Sequence, residues 1–338
     1  MRAARLSWRP AAAAALAGVA GFLLATRGES LIISAVRGDR AKLEWISDTV
    51  VSLGVVCLTY LWLNLRLSQV RVLALEREQI VLDAQLRLAA EIQRSLLPDL
   101  PAATPGFRWA ARMVPAGRIG GDFYDFVEPR PRMAFAILGD VSGKGIPAAL
   151  LLSSLKTLFR ATAASADGPA AVAEKIGAAL YEQYGGLPYV TAILARFDVD
   201  GPRLEYVNAG HPPGYLLRGG GATTLDAGGT PLGMLPGARY TAATLDLRPG
   251  DLGVLVTDGI TEALDSSLEG WVQGMAAASA RTARPPSAGA TCDDLMATAA
   301  RVTGTGEEFG GPDDRTVFVF AVESDVHSGA ASSERRTS

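Results

Sequence analysis

The stretch GGDFYDFVEPRPRMAFAILGDVSGKG, residues 120–145, sets an apolar run between two glycine-rich turns. The run RMAFAIL, residues 132–138, has the length and composition of a buried β-strand bounded by turn residues. Asp122 lies in the first turn and Asp140 in the second. Because a sheet fixes the ends of its strands, we expect these two carboxylates to face a shared cleft.

Two later turns repeat this arrangement beside apolar runs. Asp258 lies in LVTDGITEA, and Asp313 and Asp314 begin DDRTVFVF. Clustered carboxylates repel one another unless a cation neutralises them, and oxygen ligands without His or Cys favour Mg²⁺ or Mn²⁺ over Zn²⁺. A single aspartate beside a glycine is usually only a turn former. The spacing therefore leaves two interpretations open, a divalent-metal site and a set of ordinary turns.

The order of the predicted elements indicates an α+β layered fold, because strands come in antiparallel-looking runs and helices come in separate blocks. The predicted strands are residues 107–113, 132–138, 189–199, 203–208, 215–218, 252–257 and 316–322. The predicted helices are residues 147–164, 170–184, 268–280 and 291–302.

The composition excludes several classes of protein. The net charge is −3, from 32 basic and 35 acidic residues among 338, which is too balanced for a nucleic-acid-binding protein. Two cysteines cannot build a disulfide framework. Hydrophobic residues make up 49% of the chain, enough to bury a core, and their excess lies at the N-terminus.

Two apolar segments near the N-terminus, residues 10–26 and 46–65, predict a transmembrane helical hairpin. Tyr60 and Trp62 of the second segment suit a membrane interface. The alternative for the first segment is a signal peptide behind a basic N-terminal region. We expect a membrane anchor over residues 1–65, whose orientation the flanking arginines do not decide.

Residues 66–97 predict a charged helical linker without Gly or Pro. The a and d positions of its heptad pattern are Val72, Leu75, Gln79, Leu82, Leu86, Ala89, Gln93 and Leu96. Such a stripe must be buried, either in a parallel dimeric coiled coil or against the chain's own next domain. Pro98 and Pro101 end the helix. The main domain is expected over residues 98–322, followed by a disordered tail over residues 323–338.

Seven motifs follow one another along the chain. They are EIQRSLLP (91–98), GGDFYDF (120–126), GDVSGKGIPAAL (139–150), NAGHPPGYLL (208–217), TPLG (230–233), LVTDGITEA (255–263) and DDRTVFVF (313–320). In this order they resemble the metal-dependent PPM (type 2C) protein phosphatases, in the bacterial branch with SpoIIE-like and RsbU-like enzymes. The resemblance implies a β-sandwich of two antiparallel sheets flanked by helices, with metals at one end.

The resemblance also implies roles for the acidic residues. Asp122 and Asp140 would hold two core metals together with the main-chain carbonyl of Val141. Asp258 and Asp313 would complete the shell of the second metal. The metals would be Mn²⁺ or Mg²⁺, two or three in number. Residues for which a substrate or loop contact is expected are Lys144, His211 and Asp314.

The implied reaction is hydrolysis of phosphoserine or phosphothreonine by water activated between the metals. The branch implies a phosphorylated STAS-domain anti-anti-sigma-type protein as the cytosolic substrate. The catalytic domain would then face the cytoplasm from a multi-pass anchor in the plasma membrane, and the linker helix would join two copies in a homodimer. No nucleic-acid partner is expected. Two alternatives stay open: a membrane-anchored interaction module with a silent phosphatase fold, and a metal-dependent hydrolase of small phosphate esters.

Overall fold

The computed structural model describes most of the chain. The described residues are 40–101, 104–117, 119–143, 145–226, 228–281, 287–305 and 311–323. The first predicted apolar segment, Lys144 and the predicted tail beyond Glu323 lie outside them. The chain divides into two compact units, one ending at Val81 and one starting at Leu82, and each is described by itself.

A single helix, α1, runs over Arg40–Leu96 and so merges the second predicted apolar segment with the predicted linker. The part starting at Ser47 is long and apolar enough to cross a membrane, with a mean hydropathy of 1.7 over its most apolar window. Among the described residues this is the one helix with that property. The exposed apolar surface of its first half is consistent with membrane association.

The second unit contains two antiparallel sheets, each with five strands among the described residues. In spatial order, the first sheet consists of Phe107–Val114 (β1), Arg315–Val322 (β10), Leu252–Val256 (β9), Gly214–Arg218 (β6) and Gly221–Leu225 (β7). The second sheet consists of Asp122–Arg130 (β2), Met133–Val141 (β3), Val190–Asp198 (β4), Arg203–Ala209 (β5) and Ala243–Asp246 (β8). The predicted pair of antiparallel sheets with helices is confirmed.

Aromatic side chains fill the space between the two sheets. The ring centroid of Trp109 in β1 lies 4.9 Å from that of Phe126 in β2 and 4.8 Å from that of Phe197 in β4. The rings of Phe197 and Phe320 in β10 are 4.9 Å apart. Burying one phenylalanine side chain contributes about 1.5–3 kcal/mol, so this cluster is a major source of cohesion between the sheets.

Helices cover the outer face of each sheet, so that each sheet has one face against the other sheet and one against helices. The helices on the second sheet are Ile146–Ala163 (α2) and Pro169–Tyr184 (α3). The helices on the first sheet are Asp258–Leu264 (α4), Ser266–Arg281 (α5) and Ala288–Thr303 (α6).

The sequence did not predict β2, β7, β8 or α4. The most informative of these is β2, because the motif GGDFYDF was expected to be a turn. In the structure the strand begins at Asp122 and all five residues of DFYDF are buried. Asp125 is fully buried because Arg160 of α2 binds it through two hydrogen bonds of 2.8 Å. A paired buried carboxylate therefore interrupts the apolar pattern without ending the strand.

Candidate metal centre

The carboxylate of Asp122 is held from the opposite sheet. Its Oδ2 accepts hydrogen bonds from the hydroxyls of Thr257, at 2.8 Å, and Thr316, at 2.6 Å. Its Oδ1 is buried and has no hydrogen-bond partner among the described residues. Burial raises the pKa of Asp122 well above its usual value, although the hydrogen bond from Thr316 acts in the opposite direction. Oδ1 is therefore the oxygen of this carboxylate that the described residues leave unsatisfied.

Asp140 lies beside Asp122, because the two are register partners between β2 and β3. Burial raises the pKa of Asp140 to about 7, and among the neighbouring carboxylates Asp258 adds most to that effect. Like charges that share a site disfavour the ionised form, and a cation placed among them reverses the effect.

Gly121 leaves open a position around which three oxygens converge. A Cβ at Gly121 would press on Oδ1 of Asp140, and it would lie 2.9 Å from the carbonyl oxygen of Val141 and 3.4 Å from that of Gly143. A carboxylate and main-chain carbonyls are the oxygen ligands that Mg²⁺ and Mn²⁺ accept. The donor type fits a divalent cation, and the lack of a side chain at Gly121 keeps these oxygens uncrowded.

The other two predicted ligands lie at the ends of strands in the first sheet. Asp258 begins α4, and its Oδ1 accepts the backbone N–H of Gly259 at 2.9 Å. Burial raises the pKa of Asp258, and the charge of Asp313 acts in the same direction. Among the described residues, no three acidic, histidine or cysteine side chains stand close enough to enclose an ion. The four aspartates are thus electrostatic neighbours that do not form a closed cage.

Asp314 anchors the loop that leads into Asp122. Its Oδ1 accepts the backbone N–H of Ala116 at 2.7 Å, and its Oδ2 accepts that of Gly121 at 2.6 Å. The side chain is 5% exposed. Both carboxylate oxygens accept hydrogen bonds from backbone groups of the loop. Of the substrate or loop contact expected for Asp314, the structure has the loop contact.

Three residues around Asp122 were not predicted to belong to the site. Thr257 and Thr316 each lie next to a predicted acidic turn in the sequence. Hydroxyl residues at such positions could have been predicted to belong to the site. Gln93, near the end of α1, is buried and donates from Nε2 to the carbonyl oxygen of Gly120 at 2.8 Å. The sequence places Gln93 at an a or d position of the heptad pattern, where apolar residues are expected. Its polar side chain was the one sign in the sequence that Gln93 makes a specific contact.

His211 lies close to the same end of the sandwich. It is 6% exposed, and its Nδ1 is 3.0 Å from the hydroxyl oxygen of Thr191 in β4. Thr191 is the register partner of Asp140 between β4 and β3. Lys144, the other residue for which a substrate or loop contact was expected, is outside the described residues.

The sequence matches those of known phosphatases over about half of its length. Phosphoserine phosphatase RsbU of Bacillus subtilis (strain 168) is 30% identical over 181 residues, which are 53% of this chain and 54% of RsbU. Phosphoserine phosphatase RsbP of the same strain is 27% identical over 183 residues, 53% of this chain and 45% of RsbP. The chain thus spans about half the length of the curated relatives it matches.

The fold is that of a PP2C domain. The SiaA-PP2C domain of Pseudomonas aeruginosa superposes with a TM-score of 0.62 at 22% identity, covering 73% of this chain and 99% of that domain. The model of a protein family described as Stage II sporulation protein E (SpoIIE) matches residues 130–323, more than half of the chain. The chain belongs to the SpoIIE family.

Proposed function

We propose that the chain is a metal-dependent protein-serine/threonine phosphatase. The observation that carries the proposal is the carboxylate of Asp122, which has one oxygen fixed by Thr257 and Thr316 and the other buried with no partner in the described part of the chain. A structural aspartate would need a donor at both oxygens, because an unsatisfied buried group costs about 1–3 kcal/mol. The similarity to two proteins named phosphoserine phosphatase supports the same conclusion.

The ligand set we propose is Asp122, Asp140, Asp258, Asp313 and the carbonyl of Val141. When bound, Mn²⁺ or Mg²⁺ ions acidify water and neutralise charge that builds up on a phosphoryl group. The protein positions this chemistry: the threonine hydroxyls orient Asp122, and Asp314 fixes the loop before it. The predicted ligands include neither a cysteine nor a histidine, which agrees with direct attack by water and without a phosphoenzyme.

The substrate we propose is phosphoserine or phosphothreonine on a cytosolic STAS-domain anti-anti-sigma-type protein. Support comes from the motifs of the bacterial branch and from the match to RsbU and RsbP.

The arrangement in the membrane is part of the same proposal. We propose a multi-pass anchor over residues 1–65, a linker over 66–97, and a catalytic domain over 98–322 that faces the cytoplasm. The exposed apolar side chains of α1 between Val50 and Leu65 support a membrane-spanning segment. The exposed seam residues Val72 and Leu75 support a homodimer through the linker.

Purified full-length chain in detergent tests the proposed reaction. We would measure phosphate release from a phosphorylated STAS-domain protein, from ATP and from p-nitrophenyl phosphate, with Mn²⁺ and with EDTA. The proposal expects Mn²⁺-dependent release that is fastest from the phosphoprotein. Release from ATP alone would support a hydrolase of small phosphate esters, and no release from any of the three would support a silent interaction module.

A further inference from the structure

The imidazole of His211 is fixed in the interior by its own loop. The side chain of Asn208 forms two hydrogen bonds with the backbone of His211. Its Nδ2 donates to the carbonyl oxygen at 2.8 Å, and its Oδ1 accepts the N–H at 2.7 Å. Gly210 between them has a φ of 69°, and a Cβ there would collide with Pro231. The loop therefore has one conformation that directs the ring inward.

The inward ring meets the strand next to a predicted metal ligand. Its Nδ1 lies 3.0 Å from the hydroxyl oxygen of Thr191. Thr191 is directly opposite Asp140 in the antiparallel pair of β3 and β4. Directly opposed residues of such a pair project from the same face of the sheet, so Thr191 borders Asp140 on the face that carries Asp122.

Nε2 of the ring is buried and has no partner of normal hydrogen-bond geometry among the described residues. Burial lowers the pKa of His211 to about 3, while the backbone of Val256 acts in the opposite direction. A backbone group that favours the protonated ring is an acceptor, which places the carbonyl of Val256 near the ring. Val256 immediately precedes Thr257, the donor to Asp122.

These contacts assign one tautomer. A neutral ring with its proton on Nε2 leaves Nδ1 to accept the hydroxyl proton of Thr191, and the carbonyl of Val256 is the backbone acceptor near the ring. His211 then spans the two sheets at the end where the aspartates meet. One end of the bridge is beside Asp140, and the other is one residue from the donor that orients Asp122.

We propose that His211 is a positioning residue of the metal centre, a neutral bridge that sets the spacing of the two sheets between Asp140 and Asp122. The inference rests on the proposed metal-dependent function and adds to it a role for the NAGH turn. It does not make His211 a proton donor to the substrate, since the ring is buried and its Nδ1 contacts Thr191.

The test is Mn²⁺ affinity of the full chain in detergent, measured by isothermal titration calorimetry, with thermal unfolding in EDTA as a separate readout. His211 acts through Thr191 and Val256 and not on a ligand directly, so His211→Phe is expected to weaken Mn²⁺ binding by about the lower end of the 10–100-fold range of outer contacts to metal ligands. His211→Gln, which keeps an N–H near the position of Nε2, should recover part of the loss. Tyr240→Phe is the matched control, because it removes a buried hydroxyl for which the structure gives no partner among the residues it describes.

Thr191→Val removes the other half of the bridge with little change in volume. We expect it to weaken Mn²⁺ binding, and the double variant with His211→Phe to bind no more weakly than His211→Phe alone, because the two act through one contact. If His211→Phe fails to fold, Thr191→Val alone decides the matter. Folded variants that bind Mn²⁺ as tightly as wild type would overturn the proposal, whatever their thermal stability.

Two further outcomes separate this inference from the proposed function. A folded wild-type chain that binds no Mn²⁺ would refute the metal centre itself, and the bridge with it. The tautomer gives an independent signature, since ¹⁵N spectra of a His327→Gln variant report His211 alone, the chain having two histidines. We expect the neutral Nε2–H form at neutral pH, and a ring that titrates near its usual value would contradict the bridge.

Discussion

The side-chain amide of Gln93 forms two hydrogen bonds with the backbone of Gly120. Nε2 donates to the carbonyl oxygen at 2.8 Å, and Oε1 accepts the N–H at 3.1 Å. Gln93 lies near the C-terminal end of α1, and Gly120 is two residues before Asp122. The helix is therefore bonded directly to the loop that leads into the proposed metal centre.

Replacing Gln93 with leucine should weaken both the loop and the site. The change leaves two backbone groups of Gly120 without their partner, at a cost of about 1–3 kcal/mol for each buried unsatisfied group. We expect weaker Mn²⁺ binding and slower phosphate release by the full chain. Gln79→Leu is the control, because Gln79 is an exposed amide of the same heptad seam. Equal behaviour of the two variants would mean that the contact with Gly120 does not matter to the site.

Removal of the helix should have a related effect. A variant that begins at Leu100 lacks Gln93 together with the rest of α1, so the loop at Gly120 loses its tether. We expect lower phosphatase activity than that of the full chain, measured with the same phosphorylated STAS-domain protein over a range of Mn²⁺ concentrations. If the shortened variant matched the full chain under every condition, the contact of the helix with the loop at Gly120 would not matter to the activity.

The linker shows how far a periodic pattern can be trusted. The heptad pattern predicted a helix over residues 66–97, and the structure has helix to Leu96. The pattern did not predict which of its positions are buried. Val72 and Leu75 are exposed, whereas Gln93 is buried in the second unit. The specificity of the Gln93 contact depends on a backbone turn 27 residues away, which no local pattern encodes.

The two threonine hydroxyls that donate hydrogen bonds to Asp122 give a third prediction. Thr257→Val and Thr316→Val each remove one donor from Oδ2 while keeping the side-chain shape. We expect each to weaken Mn²⁺ binding by about 10-fold or more, because orienting groups around a ligand typically contribute that much. Thr298→Val is the control, since its hydroxyl bonds only within its own exposed helix turn. Unchanged Mn²⁺ affinity in both site variants would show that Asp122 needs no orientation.

The acidic cluster should make stability depend on pH when metal is removed. Burial and neighbouring carboxylates raise the pKa of Asp140 from its usual 3.8 to about 7 in the folded protein. The folded state therefore keeps a proton that the unfolded chain has lost, and this contribution to stability is lost as pH rises from about 4 to about 7. In EDTA, Asp140→Asn should accordingly gain stability relative to wild type as pH rises.

Thermal unfolding of both proteins at about pH 5 and about pH 8 provides the measurement. Mn²⁺ competes with the proton, so it should raise the melting temperature of wild type more at the higher pH. A difference between wild type and Asp140→Asn that stays constant with pH would contradict the raised pKa of Asp140. The control is Asp246→Asn, an exposed aspartate whose side chain is 85% accessible.

The acidic turns were easier to predict than their surroundings. Aspartates next to glycine at strand ends are visible in the sequence, and the sheets bring Asp122 and Asp140 together as expected. The strand β2 was missed because Asp125 is polar, and its pairing with Arg160 is a contact across 35 residues. Burial of a charge depends on a partner that folding supplies, so hydropathy along the chain underestimates such strands.

Calorimetric titration of the full chain with Mn²⁺ tests the central claim, that clustered aspartates hold divalent ions at one end of the sandwich. Asp122→Asn and Asp258→Asn keep the size of each side chain and remove its charge. The account predicts that wild type and Asp246→Asn bind Mn²⁺, and that both site variants fold but lose most binding and most phosphatase activity. Folded Asp122→Asn and Asp258→Asn that bind Mn²⁺ as wild type does would contradict it.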